Sequence, residues 1–379
     1  MGLTTKAWKY VLVLGLCLIA GYVLAPGATG RDALYLALGT GSVLCILVGI
    51  RTHRPHDRPA WYLLALGGAA NASGDLVAGQ GGLPFHTGSP DLSAGHALYL
   101  AGYLCIIAAV VRLGRDPDHS RQREDRADAT IIALGALAVS WHFLIASYAG
   151  DSSISTAGRI AVMSYSVLDI ALVFFVFRSL VFGVAGTPFR RILSTGLIIL
   201  SVSDFFEGLL VLHHGAWAAH RVDAGFLVAY LLIGVAALHP SVAERIPASP
   251  KPVPNVYRRE TGGRSRIPAV AFVGFVPSTV LLVASSLGAP IDVPMMSALC
   301  VAVSALIYLR MMWLIGRITG QTNEIEVHAR ALEASHRHRD ALETDLRHLA
   351  FHDELTGLAN RALLHDRVEH ALAAAPRTG

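Results

Sequence analysis

The chain has 379 residues, of which 53% are hydrophobic and 15% charged, with a formal net charge of +4 and a mean hydropathy of +0.51. Soluble domains carry about 25% charged residues, so this balance excludes a water-soluble protein as the bulk of the chain. It also excludes a nucleic-acid surface, because the basic residues are scattered between apolar runs with no aromatic-studded patch.

The apolar residues gather into ten runs, each of roughly the length that crosses a ~30 Å hydrocarbon core. The runs cover 8–25, 33–50, 61–79, 97–113, 128–148, 160–182, 192–212, 224–240, 267–288 and 295–316. Lys6 and Lys9 precede the first, but no small-residue cleavage site follows, so it reads as a span and not as a signal peptide. Cys17, Cys45, Cys105 and Cys300 all lie inside apolar runs, where a cysteine is a small core hydrophobe and not half of a disulfide framework.

The connections alternate in charge. One set carries Arg51, Arg54 and Arg58; then Arg112, Arg115, Arg121, Arg123 and Arg126; then Arg178, Arg190 and Arg191; then Arg245, Lys251, Arg258, Arg259, Arg264 and Arg266. The other carries only Arg31, Arg159 and Arg221. The basic side of a multi-pass protein faces the cytoplasm. Both termini are therefore expected on the cytoplasmic side of a cell membrane, in agreement with an even number of spans.

Residues 1–240 read as an eight-span sensor module, 241–266 as a cytoplasmic Pro-rich linker that favours extended backbone, and 267–316 as a final pair of spans. Within the eight, the third and fourth spans loosely echo the seventh and eighth. Each pair has an acid near the outer end of its first helix (Asp75, Asp204) and a tyrosine in its second (Tyr103, Tyr230). In the ninth span, Pro268 stands near the start and Pro277 mid-helix, which predicts a kink at Pro277.

The candidate sensing residues are the intramembrane acids Asp75, Asp169, Asp204 and Glu207, with Asn71 beside Asp75. An acid at bilayer depth costs at least ~2.5 kcal/mol, so it faces the bundle or a watery cavity. Asp204 and Glu207 share one helical face, with His213 and His214 further along. With His96, His142 and Tyr99, the acids are placed to line a pocket that binds an unidentified ligand or ion. The alternative is plain hydrogen bonding of neutral acids to hydroxyls between helices. No close pairing of His with Cys or carboxylate predicts a metal site.

After the tenth span a seven-residue repeat sets in. One seam position takes Ile318, Ile325, Leu332, Arg339, Leu346 and Asp353; the other takes Gln321, His328, Ser335, Leu342 and Leu349. The register is unbroken over 317–350 and predicts a coiled coil pairing two copies in parallel. Its polar core positions lower stability and suit a rod that switches between packings.

The repeat ends at FHDELTGLANR. Gly357 permits a sharp turn, and a new helix starts near Asn360 with Leu363, Leu364, Val368 and Leu372 on its apolar face. Asp353, Leu355, Thr356, Gly357, Leu358, Asn360 and Arg361 match the pattern D-x-L-T-G-L-x-N-R. This stretch resembles the opening of GGDEF domains, the diguanylate cyclase family, over about the last thirty residues.

The resemblance implies an α/β output domain that makes cyclic di-GMP from two GTP with Mg²⁺. The opening motif shapes the turn from rod to domain; the family's metal ligands and Gly-Gly-acid-Glu-Phe loop lie further along. No residue of the chain takes a catalytic role, and 351–379 reads as the N-terminal fragment of such a domain, inactive by itself. The expected fold is an all-α membrane protein of about ten transmembrane helices, then a coiled coil and the first GGDEF helix. Two other readings remain. Ten spans with buried acids suit a transporter, and His352 with Glu354, Leu355 and Thr356 faintly echoes a histidine-kinase phospho-acceptor box.

Overall fold

The computed structural model describes residues 6–25, 27–78, 94–114, 122–152, 155–181, 187–212, 219–243, 270, 272–353 and 357–374. Among these the chain is helical, with no strand beyond a single bridge between His352 and Ala359. His213, His214, Pro268, Leu355, Thr356 and all but the first three residues of the 241–266 linker lie outside the described residues.

The helices are α1 Ala7–Leu24, α2 Ala28–His53, α3 Arg58–Ala78 and α4 Ala94–Leu113. Next comes α5 Gln122–Ser140, which a π-helical turn (Trp141–Ile145) joins to a last α-turn, Ala146–Gly150. They are followed by α6 Thr156–Val176, α7 Pro188–Leu212, α8 Ala219–Leu238, α9 Val276–Ser286, α10 Val293–Phe351 and α11 Arg361–Ala374. Seven described helices are long and apolar enough to cross a membrane, so the chain is an all-α, multi-pass membrane protein. Their outward faces carry Tyr10, Val13, Leu14, Leu44, Leu104 and Ile160, all exposed. In a bilayer that is the stable arrangement, because lipid is as apolar as the core and only backbone polar groups demand internal partners.

The structure forms two compact units, Met1–Arg310 and Met311–Gly379. The core of the first is built from α1 to α4 and α6 to α8, around Trp61, Leu64, Ile46, Leu172, Leu193, Leu197 and Leu227. The pairs α3–α4 and α7–α8, those singled out by the weak internal repeat, are the most extensively packed. The α3–α4 pair is close because two glycines face each other. A Cβ on Gly102 would run into Asn71 and stand 3.0 Å from the Gly67 carbonyl oxygen, so the seam needs residues without side chains.

Two smaller clusters hold the start of α10 against α5. One joins Ala129, Ile131 and Ile132 to Val303; the other joins Ala138 to Met296 and Leu299. Asp292 caps α10, its Oδ1 accepting from Met295 N at 3.1 Å, while its Oδ2 accepts from Trp141 Nε1 at 3.2 Å.

The ninth span departs from expectation. Its described helix, α9, has 11 residues, or about 16 Å of rise, and a turn at Phe275 precedes it. Pro277 stands in the first turn of α9 and does not kink its middle. A proline there loses nothing, because the first amides of a helix have no intrahelical partner.

The second unit contains the rest of α10 and α11. Ile318, Ile325, Leu332, Leu342, Leu346 and Leu349 are between 47% and 68% exposed, so none of the described residues of the same chain covers the predicted seam. Arg330 pairs with Glu326 at 3.2 Å and Arg337 with Glu333 at 3.9 Å along the solvated side. The helix ends at Phe351. Asp353 is therefore a turn residue, and the seam stops at Leu349.

Candidate functional site

A cavity of about 70 Å³ opens inside the first unit. Its lining follows one rule. Four helices each contribute two residues four apart, which stack on one helical face: Asn71 and Asp75 from α3, Tyr99 and Tyr103 from α4, Leu200 and Asp204 from α7, and Phe226 and Tyr230 from α8, while α6 contributes Tyr165 alone. Glu207 adds a third residue from α7, and Tyr35 comes from α2.

Most of the acids are held by phenols. Tyr99 donates to Asp75 at 2.8 Å, Tyr103 to Asp169 at 2.8 Å and Tyr22 to Asp223 at 2.7 Å. Asp204 differs: its Oδ2 is buried and has no hydrogen-bond partner among the described residues, and the same is true of Asn71 Oδ1. Two acceptors without donors thus line one small space. Tyr35 stands edge-on to Tyr230 with ring centroids 6.4 Å apart, and Tyr103 to Tyr165 at 6.4 Å.

Of the four predicted sensing acids, Asp75, Asp204 and Glu207 line the cavity together. Asp169 is buried one step behind it, in contact with the lining through the Tyr103 hydroxyl. Two of the predicted companions do not take part. His96 is buried and its carbonyl accepts from Tyr165 at 3.4 Å, while the His142 ring packs on Phe143 at 4.7 Å. Sequence reasoning missed Tyr35, Tyr165 and Phe226 of the lining, and Asp223 nearby.

At the arginine-rich end of the helices the side chains act as ties. Arg112 reaches Asp57 at 3.1 Å, and buried Arg190 donates to the Leu113 carbonyl at 2.9 Å and the Ser179 carbonyl at 3.4 Å. A further ion pair joins α5 to α10. Arg310 grips Asp128 with two nitrogens on two oxygens, Nη2 to Oδ2 at 2.9 Å, and Asp128 is only 2% exposed.

In the second unit the turn after α10 is closed by its main chain. Asp353 N donates to the Leu358 carbonyl, Gly357 N to the Asp353 carbonyl and Asn360 N to the Phe351 carbonyl, each at 2.9 Å. Gly357 has φ +67°, a left-handed conformation that a Cβ disfavours. Asn360 serves both helices. Its Oδ1 accepts from Leu363 N at 3.1 Å and caps α11, while its Nδ2 donates to the Ala350 carbonyl at 2.7 Å and holds the end of α10. Asn360→Ala removes both bonds and is expected to cost α11 about 1 kcal/mol. Faster amide exchange at Leu363 and Leu364 would report it; unchanged exchange would mean the cap is idle.

Among the described residues no three His, Cys, Asp or Glu side chains are grouped to hold a metal. Compared with protein-family models, curated proteins and solved structures, the chain matches none.

Proposed function

We propose that the chain is the membrane-embedded input portion of a diguanylate cyclase-type signalling protein, with both termini in the cytoplasm, acting as a parallel homodimer through the 317–350 rod. One observation carries the reading. All seven specified positions of D-x-L-T-G-L-x-N-R follow the long helix, and two of them do what such a junction needs. Gly357 supplies the positive φ, and Asn360 caps the next helix while gripping the last.

The Mg²⁺ and GTP of such an output domain do not fit the donors present here. Of its described residues the turn offers the Asp353 carboxylate, and the sequence carries no phosphate-cradling glycine loop there. The chemistry of cyclisation is accordingly given to no residue of this chain.

The test is to read the coding sequence beyond codon 379 and assay membranes containing the full gene product for cyclic di-GMP made from GTP. A Gly-Gly-acid-Glu-Phe loop with GTP-dependent product is expected. A reading frame without that loop, or a product that never forms, overturns the reading. The carboxylate-lined cavity favours a second reading, a transporter-like bundle, which would move solute across sealed vesicles with no GTP present.

A further inference from the structure

The cavity's inventory is one-sided. Among the described residues it holds three carboxyl groups, one amide and six aromatic rings, with no Lys, Arg or His. Asp75 already accepts from Tyr99. Asp204 Oδ2 and Asn71 Oδ1 have no donor among the described residues, although Asn71 is only 3% exposed. A buried acceptor without a donor costs about 1–3 kcal/mol, and two beside one cavity mark the place where a donor belongs.

The rings narrow the choice of donor. A water satisfies an acceptor but gains nothing from a phenol face, whereas a cation within about 6 Å of a ring is drawn to its π-electrons. The edge-on pairs Tyr35–Tyr230 and Tyr103–Tyr165 leave faces turned away from their partner rings. One water needs about 10–15 Å³ of such space, so 70 Å³ admits a group of a few heavy atoms and excludes a nucleotide or a lipid headgroup.

We infer that this cavity binds a small organic cation, a primary or methylated amine. Its N–H or N–CH₃ groups point to Asp204 and Glu207, and its body rests against Tyr230 and Tyr103. The inference concerns binding alone and stands whether or not the chain serves a cyclase.

The test is isothermal titration of the full chain in nanodiscs with methylammonium, ethylammonium and tetramethylammonium chlorides, with sodium chloride as the matched control. Saturable heat from at least one alkylammonium, near one site per chain and absent with sodium, is expected. Asp204→Asn and Glu207→Gln should each weaken it about tenfold or more. No saturable heat from wild-type protein with any of the three amines overturns the proposal, even if the variants fail to fold. Equal heat from sodium overturns it too, as does undiminished binding in both acid variants.

Discussion

Arg310→Ala is expected to destabilise the membrane unit by about 3–5 kcal/mol, the cost of leaving a buried charge without its partner. Asp128 is 2% exposed and has its two oxygens engaged by the guanidinium. Removing the arginine strands a carboxylate that neither water nor lipid can solvate. Asp128→Asn is milder, because an amide is neutral and still accepts one hydrogen bond. The double change Arg310→Met with Asp128→Leu should recover most of the loss, since well-packed apolar residues commonly replace a buried pair without penalty. Thermal unfolding of all four proteins in one detergent measures this. If Arg310→Ala unfolds at the wild-type temperature, the pair contributes nothing. If the double variant is no better than the single, lost packing and not stranded charge is the cause.

The second large effect concerns the rod. Leu342→Cys or Leu346→Cys should cross-link efficiently between copies in native membranes, whereas Thr344→Cys, on the opposite side of the heptad, should not. The six apolar seam residues of 317–350 are all at least 47% exposed within one chain, and burying a Leu or Ile side chain contributes about 1.5–3 kcal/mol. Exposed ion pairs on the other side, such as Arg330 with Glu326, contribute at most about 1 kcal/mol. The expected pairing of copies would therefore be driven by the seam and not by the charges. Equal cross-linking at all three positions would mean random collision. None at the two leucines would remove the dimer.

Much of the site was legible because its residues are spaced by single helical turns. Asn71 with Asp75, and Asp204 with Glu207, announce a polar face inside an apolar helix, and the cavity brings both together. Tyr35 and Tyr165 were passed over because a lone aromatic in an apolar run is indistinguishable from core. Asp223 fell one residue outside the eighth predicted run, so it was not weighed as intramembrane. His96 and His142 were grouped with the acids by depth alone, which says nothing about which way a helix is rotated. The Arg310–Asp128 pair spans 182 positions, and no local spacing betrays such a contact. Pro277 was read as a kink on the assumption of one continuous span, but the helix starts beside it.

The carboxyl groups gathered at Asp75, Asp204 and Glu207 also have an electrical consequence. The apolar runs that carry these groups are read as membrane spans, so a cation reaching them would cross part of the field across the bilayer, where a full crossing is worth about 2.3 kcal/mol per elementary charge per 100 mV. Its affinity then scales with the fraction of the voltage drop it traverses. Membrane energisation would thereby set how often the cavity is filled, with no arginine-rich voltage-sensing helix required.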